Sequence, residues 1–276
     1  MIAPDHQFFP FISDDLALKQ VVDAIRNEMD EYIRKYKLNS LVLGISGGID
    51  SALCAALLNP VCQQNHIPLI GRSITIETNS SEEIDRSVKI GENFCTDFQL
   101  MDLTPTYYEN CKNLILLDDT MLSKMRKGNM KARMRMIVLF DLAQLYKGLV
   151  ISTDNYTEYL TGFWTLHGDV GDYAIIMNLW KTEVYHLSKY LLKEYNSLQQ
   201  EALQLCIDAT PVDGLGISKS DCEQLQVQNY YEADRLFYEY FVEKDVALET
   251  HPLIKRYKSS DYKRNNPLVT ARSKFI

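Results

Sequence analysis

The chain has 276 residues, 46% of them hydrophobic, and a formal net charge of −8. That length supports one large α/β unit or two small ones with an ample core, and the acidic balance argues against a general nucleic-acid binder, so an anionic substrate must be held by local positive groups. The six cysteines are scattered without a Cys-x-x-Cys pair, which indicates neither a zinc site nor a disulfide framework and makes reduced thiols the expectation. No apolar run approaches membrane-spanning length, and residues 1–11 lack a basic segment followed by an apolar core, so neither an anchor nor a signal peptide is expected.

In chain order, residues 15–36 carry Leu18, Val22, Ile25, Met29 and Ile33 at helical spacing behind an acidic start, the pattern of an amphipathic helix. Leu41, Val42, Leu43 and Ile45 then form the short apolar run of a central parallel strand. Ala52, Leu53, Ala55, Ala56, Leu57 and Leu58 continue as a helix. Between strand and helix, Gly44, Ile45, Ser46, Gly47, Gly48, Ile49, Asp50 and Ser51 make a small-residue loop. Glycine lets the backbone approach a ligand closely, and the unpaired N–H groups and dipole of the following helix favour an anion. Ser46 and Ser51 add hydroxyls, and Asp50 places a carboxylate where a magnesium ion bridging phosphates would sit. The loop is not a Walker motif, since no Gly-Lys-Ser/Thr follows, and it lacks the three-glycine dinucleotide spacing.

Residues 68–76 read as a second strand, 80–94 as a helix, 98–103 as a third strand, and a helix follows from Thr104. Residues 121–146 form a long helical pattern. Within it, four basic residues interleave with three methionines from Lys127 to Met136. Arg133 and Arg135 cannot share one face, so only one reaches a given ligand. Residues 149–152 read as a short strand ending in polar residues. The order is that of an α/β fold, an open parallel sheet with helices on both faces, in which ligands bind beyond the carboxyl ends of the strands. The Ser46 loop and residues 152–155 both fall there. Farther on, residues 220–241 and 246–258 read as helices, and Tyr230, Tyr231, Phe237, Tyr238, Tyr240 and Phe241 are expected to pack a core. Polar, glycine-containing residues 213–225 read as a cover over the site. A single compact domain over 1–276 is expected, with the helix at 15–36, an α/β core at about 39–195 and a helical C-terminal region at about 198–276.

The Ser46 loop resembles the SGGxDS loop of the ATP pyrophosphatase superfamily, whose members split ATP between the α and β phosphates. Taken with the KGNxxARxRM pattern at Lys127 to Met136, the segment Ser152-Thr153-Asp154-Asn155-Tyr156-Thr157-Glu158, the pairs Gly162-Phe163 and Gly168-Asp169, Lys181-Thr182-Glu183-Val184 and Tyr262-Lys263-Arg264, the chain resembles the NAD synthetases, specifically the short ammonia-dependent form. That resemblance covers almost the whole sequence. It implies a Rossmann-like, ATP-pyrophosphatase-type fold and a ligase that amidates deamido-NAD with ammonia through an acyl adenylate, releasing AMP and pyrophosphate. Residue by residue, it implies that Gly44 to Ser51, Thr153, Lys181 and Thr210 contact ATP, and that Asp50 and Glu158 ligate Mg2+. It assigns Arg133, Asp172 and Lys263 to deamido-NAD. No dedicated catalytic side chain is needed, because positioning and electrostatics dominate.

Thr153 has an alternative use as the cap of a helix starting near Asp154, and Glu158, Lys181 and Lys263 have one as surface charges. The chain departs from the family pattern at Leu166 and His167, at Gly171-Asp172-Tyr173, at Tyr262, and at Ala209-Thr210-Pro211. The first three departures fall where the pyridine nucleotide is recognised, so amidation of nicotinate mononucleotide stands as the alternative. A tRNA-modifying pyrophosphatase is disfavoured by the lack of paired cysteines and of a basic stripe. Only about forty residues precede the loop, too few for a glutaminase domain. A cytoplasmic homodimer with small-molecule partners, neither nucleic acid nor membrane among them, is what the resemblance and composition together imply.

Overall fold

The structure is a computed structural model and describes residues 11–115, 117–211 and 220–275. In chain order the elements are α1 (Asp15–Tyr36), β1 (Leu41–Gly44), α2 (Ile49–Asn65), β2 (Leu69–Thr75), α3 (Ser81–Phe94), β3 (Asp97–Asp102), α4 (Thr104–Cys111), α5 (Met121–Leu145) and β4 (Leu149–Ser152). There follow α6 (Tyr156–Thr161), β5 (Tyr173–Ala174), α7 (Lys181–Leu191), α8 (Ser197–Asp208), α9 (Asp221–Leu225), α10 (Tyr230–Phe241), α11 (Pro252–Ser259) and α12 (Asp261–Arg264). The strands form one parallel sheet in the order β3-β2-β1-β4-β5.

The sheet lies between helical layers because its central strand is apolar on both faces. Leu41 and Leu43 join the cluster that contains Val22, Met29, Leu53 and Leu57, while Val42 between them packs with Leu139 and Ala143 of α5. This is the two-residue alternation of a strand. Helix α2 is apolar around its circumference, with Leu53, Cys54, Ala55, Ala56, Leu57 and Leu58 all fully buried. A helix of that kind must be enclosed, and α1, α3, α7 and α8 pack against it. Burial of each of its leucines contributes about 1.5–3 kcal/mol. The loop before α2 is therefore fixed by the best-packed helix in the molecule.

From β1 the chain proceeds to β2 and β3 on one side, then crosses through α5 to β4 on the other. The carboxyl ends of β1 and β4 thus flank the point where strand order reverses, the usual place for a ligand crevice in open α/β sheets. A second apolar cluster sits beside the sheet, where Trp180 meets Tyr156 edge to face at 4.6 Å and both pack with Leu225, Tyr230, Phe237, Leu253 and Ile254. It fastens the C-terminal helices to the starts of α6 and α7 and takes up Tyr230, Phe237, Tyr240 and Phe241 of α10, with Tyr238 half-buried outside it and Tyr231 exposed.

Two expected helices are broken. The pattern over 220–241 divides into α9 and α10, because Gln226 takes a left-handed conformation (φ 56°) and the Asn229 side chain accepts from Glu232 N to cap a fresh helix. The pattern over 246–258 divides into a 3-10 turn, Val246–Thr250, and α11, since Pro252 fits only the first turn of a new helix. The short strand β5 was not anticipated. The part of the expected cover at 213–219 lies outside the described residues. No described helix is long and apolar enough to cross a membrane.

Candidate active site

A cleft of about 510 Å³ opens at the carboxyl ends of β1 and β4, lined from the loop by Gly44, Ile45, Ser46, Gly48, Ile49 and Asp50. The loop is held by its own hydroxyls. Ser46 N donates to Ser51 Oγ (3.2 Å), Ser51 Oγ donates to Gly48 O (3.1 Å), and Gly48 N donates to Ser46 Oγ (3.2 Å). Gly47 has φ +82°, and a Cβ there would sit 2.3 Å from Glu83 O of α3, so both the backbone conformation and the close approach of α3 demand glycine. Arg86 Nε donates to Gly47 O (2.9 Å). Gly48 caps α2 without a side-chain hydrogen bond, whereas Ser80 and Asn155 cap α3 and α6 with theirs. The N-terminus of α2 accordingly faces the cleft with its N–H groups available to an anion.

Across the cleft, the starts of α6 and α7 deliver Glu158 and Lys181. Lys181 Nζ is hydrogen-bonded to Asp50 Oδ2 and lies 3.1 Å from Glu158 Oε1, so one buried ammonium joins two carboxylates from distant parts of the chain. Asn155 Nδ2 donates to the other oxygen of Asp50 (2.9 Å), and Asn155 and Glu158 form a capping box on α6. Burial pushes the Glu158 carboxyl up to about 8, with Asp50 and Asp154 adding to the shift and Lys181 opposing it. For Lys181, burial works to lower the pKa, but Asp50 and Glu158 outweigh it and the ammonium is held charged. Burial likewise lifts Asp154 and Asp169 to about 7. Acid therefore exceeds base around Lys181. Among the described residues, no group of three or more His, Cys, Asp or Glu side chains is placed to hold a metal ion.

Thr153, Lys181 and Thr210 line this cleft with the loop. The cap of α6 falls to Asn155 rather than Thr153. Gly47 and Ser51, expected to contact ATP, do not line the cleft. An adjoining cleft of about 490 Å³ shares Met136, Asp154, Trp164 and Lys263 with the first and is further lined by Tyr159, Leu166, His167, Arg264 and Asn266. The residues expected to hold the acid substrate are more dispersed. Lys263 reaches both clefts while donating to Gly162 O (2.7 Å) and Trp164 O (2.5 Å). Arg133 is exposed and donates to Leu166 O (3.0 Å) from Nη2. Asp172 accepts from Val150 N (2.9 Å) at the sheet edge and lines neither cleft.

The family model described as NAD synthase matches residues 21–267. The chain belongs to the NAD synthase family. It is 29% identical to the NH(3)-dependent NAD(+) synthetase of Fusobacterium nucleatum subsp. nucleatum over 272 residues, covering 92% of this chain and 96% of that one. It is 31% identical to the enzyme of the same name from Mannheimia succiniciproducens, over 72% of this chain and 75% of that one. Among solved structures, the NMN synthetase of Francisella tularensis superposes with a TM-score of 0.75 at 25% identity, covering 92% of this chain and 98% of that one. The NH3-dependent NAD synthetase of Campylobacter jejuni superposes at 0.69 with 22% identity, over 92% and 99%, which establishes the shared fold.

Within this NAD synthase fold, sequence reasoning passed over several cleft residues. Arg135, not Arg133, lines the first cleft, with Nε donating to Ile74 O (3.0 Å) and Nη2 to Asn79 Oδ1 (3.2 Å). A usable signal existed: Arg135 lies at helical spacing from Ala132 and Leu139, both buried toward the sheet side. Arg133 instead shares the exposed stripe of Ile137 and Phe140. Asp154 and Asp169 lay inside the motif segments Ser152 to Glu158 and Gly168-Asp169 with no role assigned to either; Ser152 Oγ donates to Asp154 Oδ2 (2.5 Å) and Asp169 accepts from Thr165 N (2.8 Å).

Proposed function

We propose that this NAD synthase family member amidates deamido-NAD to NAD with ammonia, consuming ATP and releasing AMP and pyrophosphate. A carboxylate resists attack by an amine until it carries a good leaving group. The reaction therefore runs in two steps: the nicotinate carboxylate attacks the α phosphate of ATP, and ammonia then displaces AMP from the acyl adenylate. The observation that carries this reading is the meeting, in one cleft, of the uncapped N-terminus of α2 with the Asp50–Lys181–Glu158 constellation.

The assigned residues have distinct tasks. The loop N–H groups and Lys181 would bind the polyphosphate, Thr153 and Thr210 would contact the nucleotide, and Arg135 adds charge at the same wall. Asp50 and Glu158 fit a divalent cation, since they are hard oxygen donors brought to one point of the cleft beside Lys181. Mg2+ in nucleotide sites typically takes one or two protein carboxylates and completes its shell from phosphate and water. When bound, it would offset the charge that accumulates on the phosphates during adenylation. The second cleft, which adjoins the first through Asp154 and Lys263, suits the acid substrate.

A second reading has its own support. Leu166 and His167, which depart from the family pattern, line the second cleft, and the Francisella tularensis NMN synthetase superposes with a TM-score of 0.75. The decisive experiment incubates the protein with MgATP, ammonium and either deamido-NAD or nicotinate mononucleotide and follows AMP and amide product by chromatography. NAD with stoichiometric AMP is expected. Product from the mononucleotide alone would move the enzyme to the earlier amidation, and AMP from neither would overturn both readings.

The exposed stripe of Arg133, Ile137 and Phe140 on α5, with Leu145 beyond it, supports a homodimer through this helix, which light scattering would test. In that arrangement Arg133 would act where the two copies meet. All six cysteines are free, which fits a reducing compartment and a cytoplasmic enzyme.

A further inference from the structure

Helix α10 lies behind the ion-pair constellation, and one of its residues reaches both strands of that constellation at once. Asp234 is fully buried. Its Oδ2 accepts from Thr182 N (2.9 Å) and Thr182 Oγ1 (2.6 Å), and its Oδ1 accepts from Thr157 Oγ1 (2.5 Å). The Thr157 hydroxyl, having donated to Asp234, accepts from Lys181 N (2.9 Å). Thr157 immediately precedes Glu158, and Thr182 immediately follows Lys181. A turn earlier on the same helix, the Tyr230 ring lies 5.1 Å beneath the Lys181 ammonium.

We propose that Asp234 is a positioning residue for the reaction, a carboxylate on α10 that clamps the first turns of α6 and α7 and so sets the separation of Glu158 from Lys181. Three physical points support this. A fully buried carboxylate is costly unless its lone pairs are filled, and here three donors from two helices fill them. Two of those donors belong to the first turn of α7, where a carboxylate satisfies an orphan N–H and complements the helix dipole. Finally, α6 and α7 are not joined by strand pairing; beyond the backbone bond from Tyr156 N to Leu179 O (2.8 Å), their relative placement rests on side chains such as these and on the apolar cluster around Trp180. The inference rests on the assignment of Lys181 and Glu158 to MgATP.

The test uses the full chain and three variants, D234N, T157V and T157S, each verified as folded by its melting transition. Calorimetric titration with MgATP and, separately, with AMP reads the positioning directly. Loss of an outer-layer partner typically costs about 10–100-fold in metal affinity or activity, so MgATP affinity is expected to fall about tenfold in D234N and T157V. AMP affinity should stay within twofold, since AMP lacks the β and γ phosphates that Lys181 and the metal would hold. T157S, which keeps the hydroxyl, should behave as the parent chain. The double variant D234N/T157V should lose little more than either single variant, because both cut one network. Equal loss of AMP and MgATP affinity would reduce Asp234 to a stabiliser of the fold, and unchanged MgATP affinity would overturn the proposal. T157V is nearly isosteric, so it carries the test even if D234N does not fold. A parent chain that binds MgATP yet amidates neither acid would refute the proposed reaction while leaving the binding comparison intact.

Discussion

The two ends of the joined clefts are built on different physical plans. At the end proposed for ATP, charge is concentrated and shared: Lys181 joins Asp50 to Glu158, and the loop hydroxyls satisfy one another around an uncapped helix. At the end proposed for the acid substrate, charge is spread over backbone carbonyls, with Lys263 on Gly162 and Trp164, Arg133 on Leu166, and Arg264 on Leu160. The helix N-terminus is set by local sequence, and the paired acids, drawn from distant parts of the chain, are held by deep packing. A cation resting on loop carbonyls gives up weaker partners when substrate arrives, and its final geometry depends on what meets that loop. In the proposed reading, the rigid end would carry activation and the adaptable one the choice of acid.

Substitution at the rigid end should have the largest effect. D50N and E158Q are each expected to lower turnover about 10²-fold or more, because each removes charge that positions a metal at the transition state; steady-state AMP release measures it, and near-normal turnover would remove that residue from the metal site. Next comes G47A. Left-handed backbone in a non-glycine residue costs about 1–2 kcal/mol, and its Cβ would meet the Glu83 carbonyl, so both the unfolding midpoint and ATP affinity should drop, whereas a merely permissive turn would change neither. At the adaptable end, K263M should raise KM for the acid about tenfold with kcat nearly intact, the mark of lost uniform binding. An equal fall in kcat would mean that Lys263 acts on the transition state and would erase the contrast between the two ends.

The smallest effect concerns pH. Burial raises Glu183 and, with Asp169 and Asp50 nearby, Asp154 to about 7; burial also raises Asp169 to about 7 and Asp234 to about 6. An unfolded chain releases such protons near pH 4, so above that value the native state binds more protons than the unfolded one. The sign follows from linkage: the contribution of these groups is fully present below about pH 4 and is lost as pH rises through about 6 to 7. Urea midpoints of the metal-free protein should therefore decline from pH 5.5 to pH 8. A midpoint that climbs across this window would contradict the raised values.

Much of this was legible in the chain itself, and unevenly so. The apolar run at Leu41 and the small-residue loop after it announced a strand, a turn and a helix because each signal is local, and α1 and α5 followed from long, regular periodicity. The breaks at Gln226 and Pro252 depend on a cap and on a ring that short helical patterns disguise. Asn155 and Asp234 were passed over because their partners lie far off in sequence: Asn155 meets Asp50 across 105 positions, and Asp234 meets Thr157 across 77. Asp172 shows the converse, a motif neighbour whose carboxylate is occupied by Val150 N.

The buried ammonium of Lys181 has one more consequence. By bridging Asp50 and Glu158 it serves as an internal counterion, so the chain can fold and rest with its acids neutralised before nucleotide or metal arrives. In the proposed reading, entry of a metal–nucleotide complex would be an exchange of partners, with Asp50 and Glu158 left to hold the cation and Lys181 freed to meet phosphate. Such a swap would let the site take up a charged substrate without leaving a buried charge unpaired.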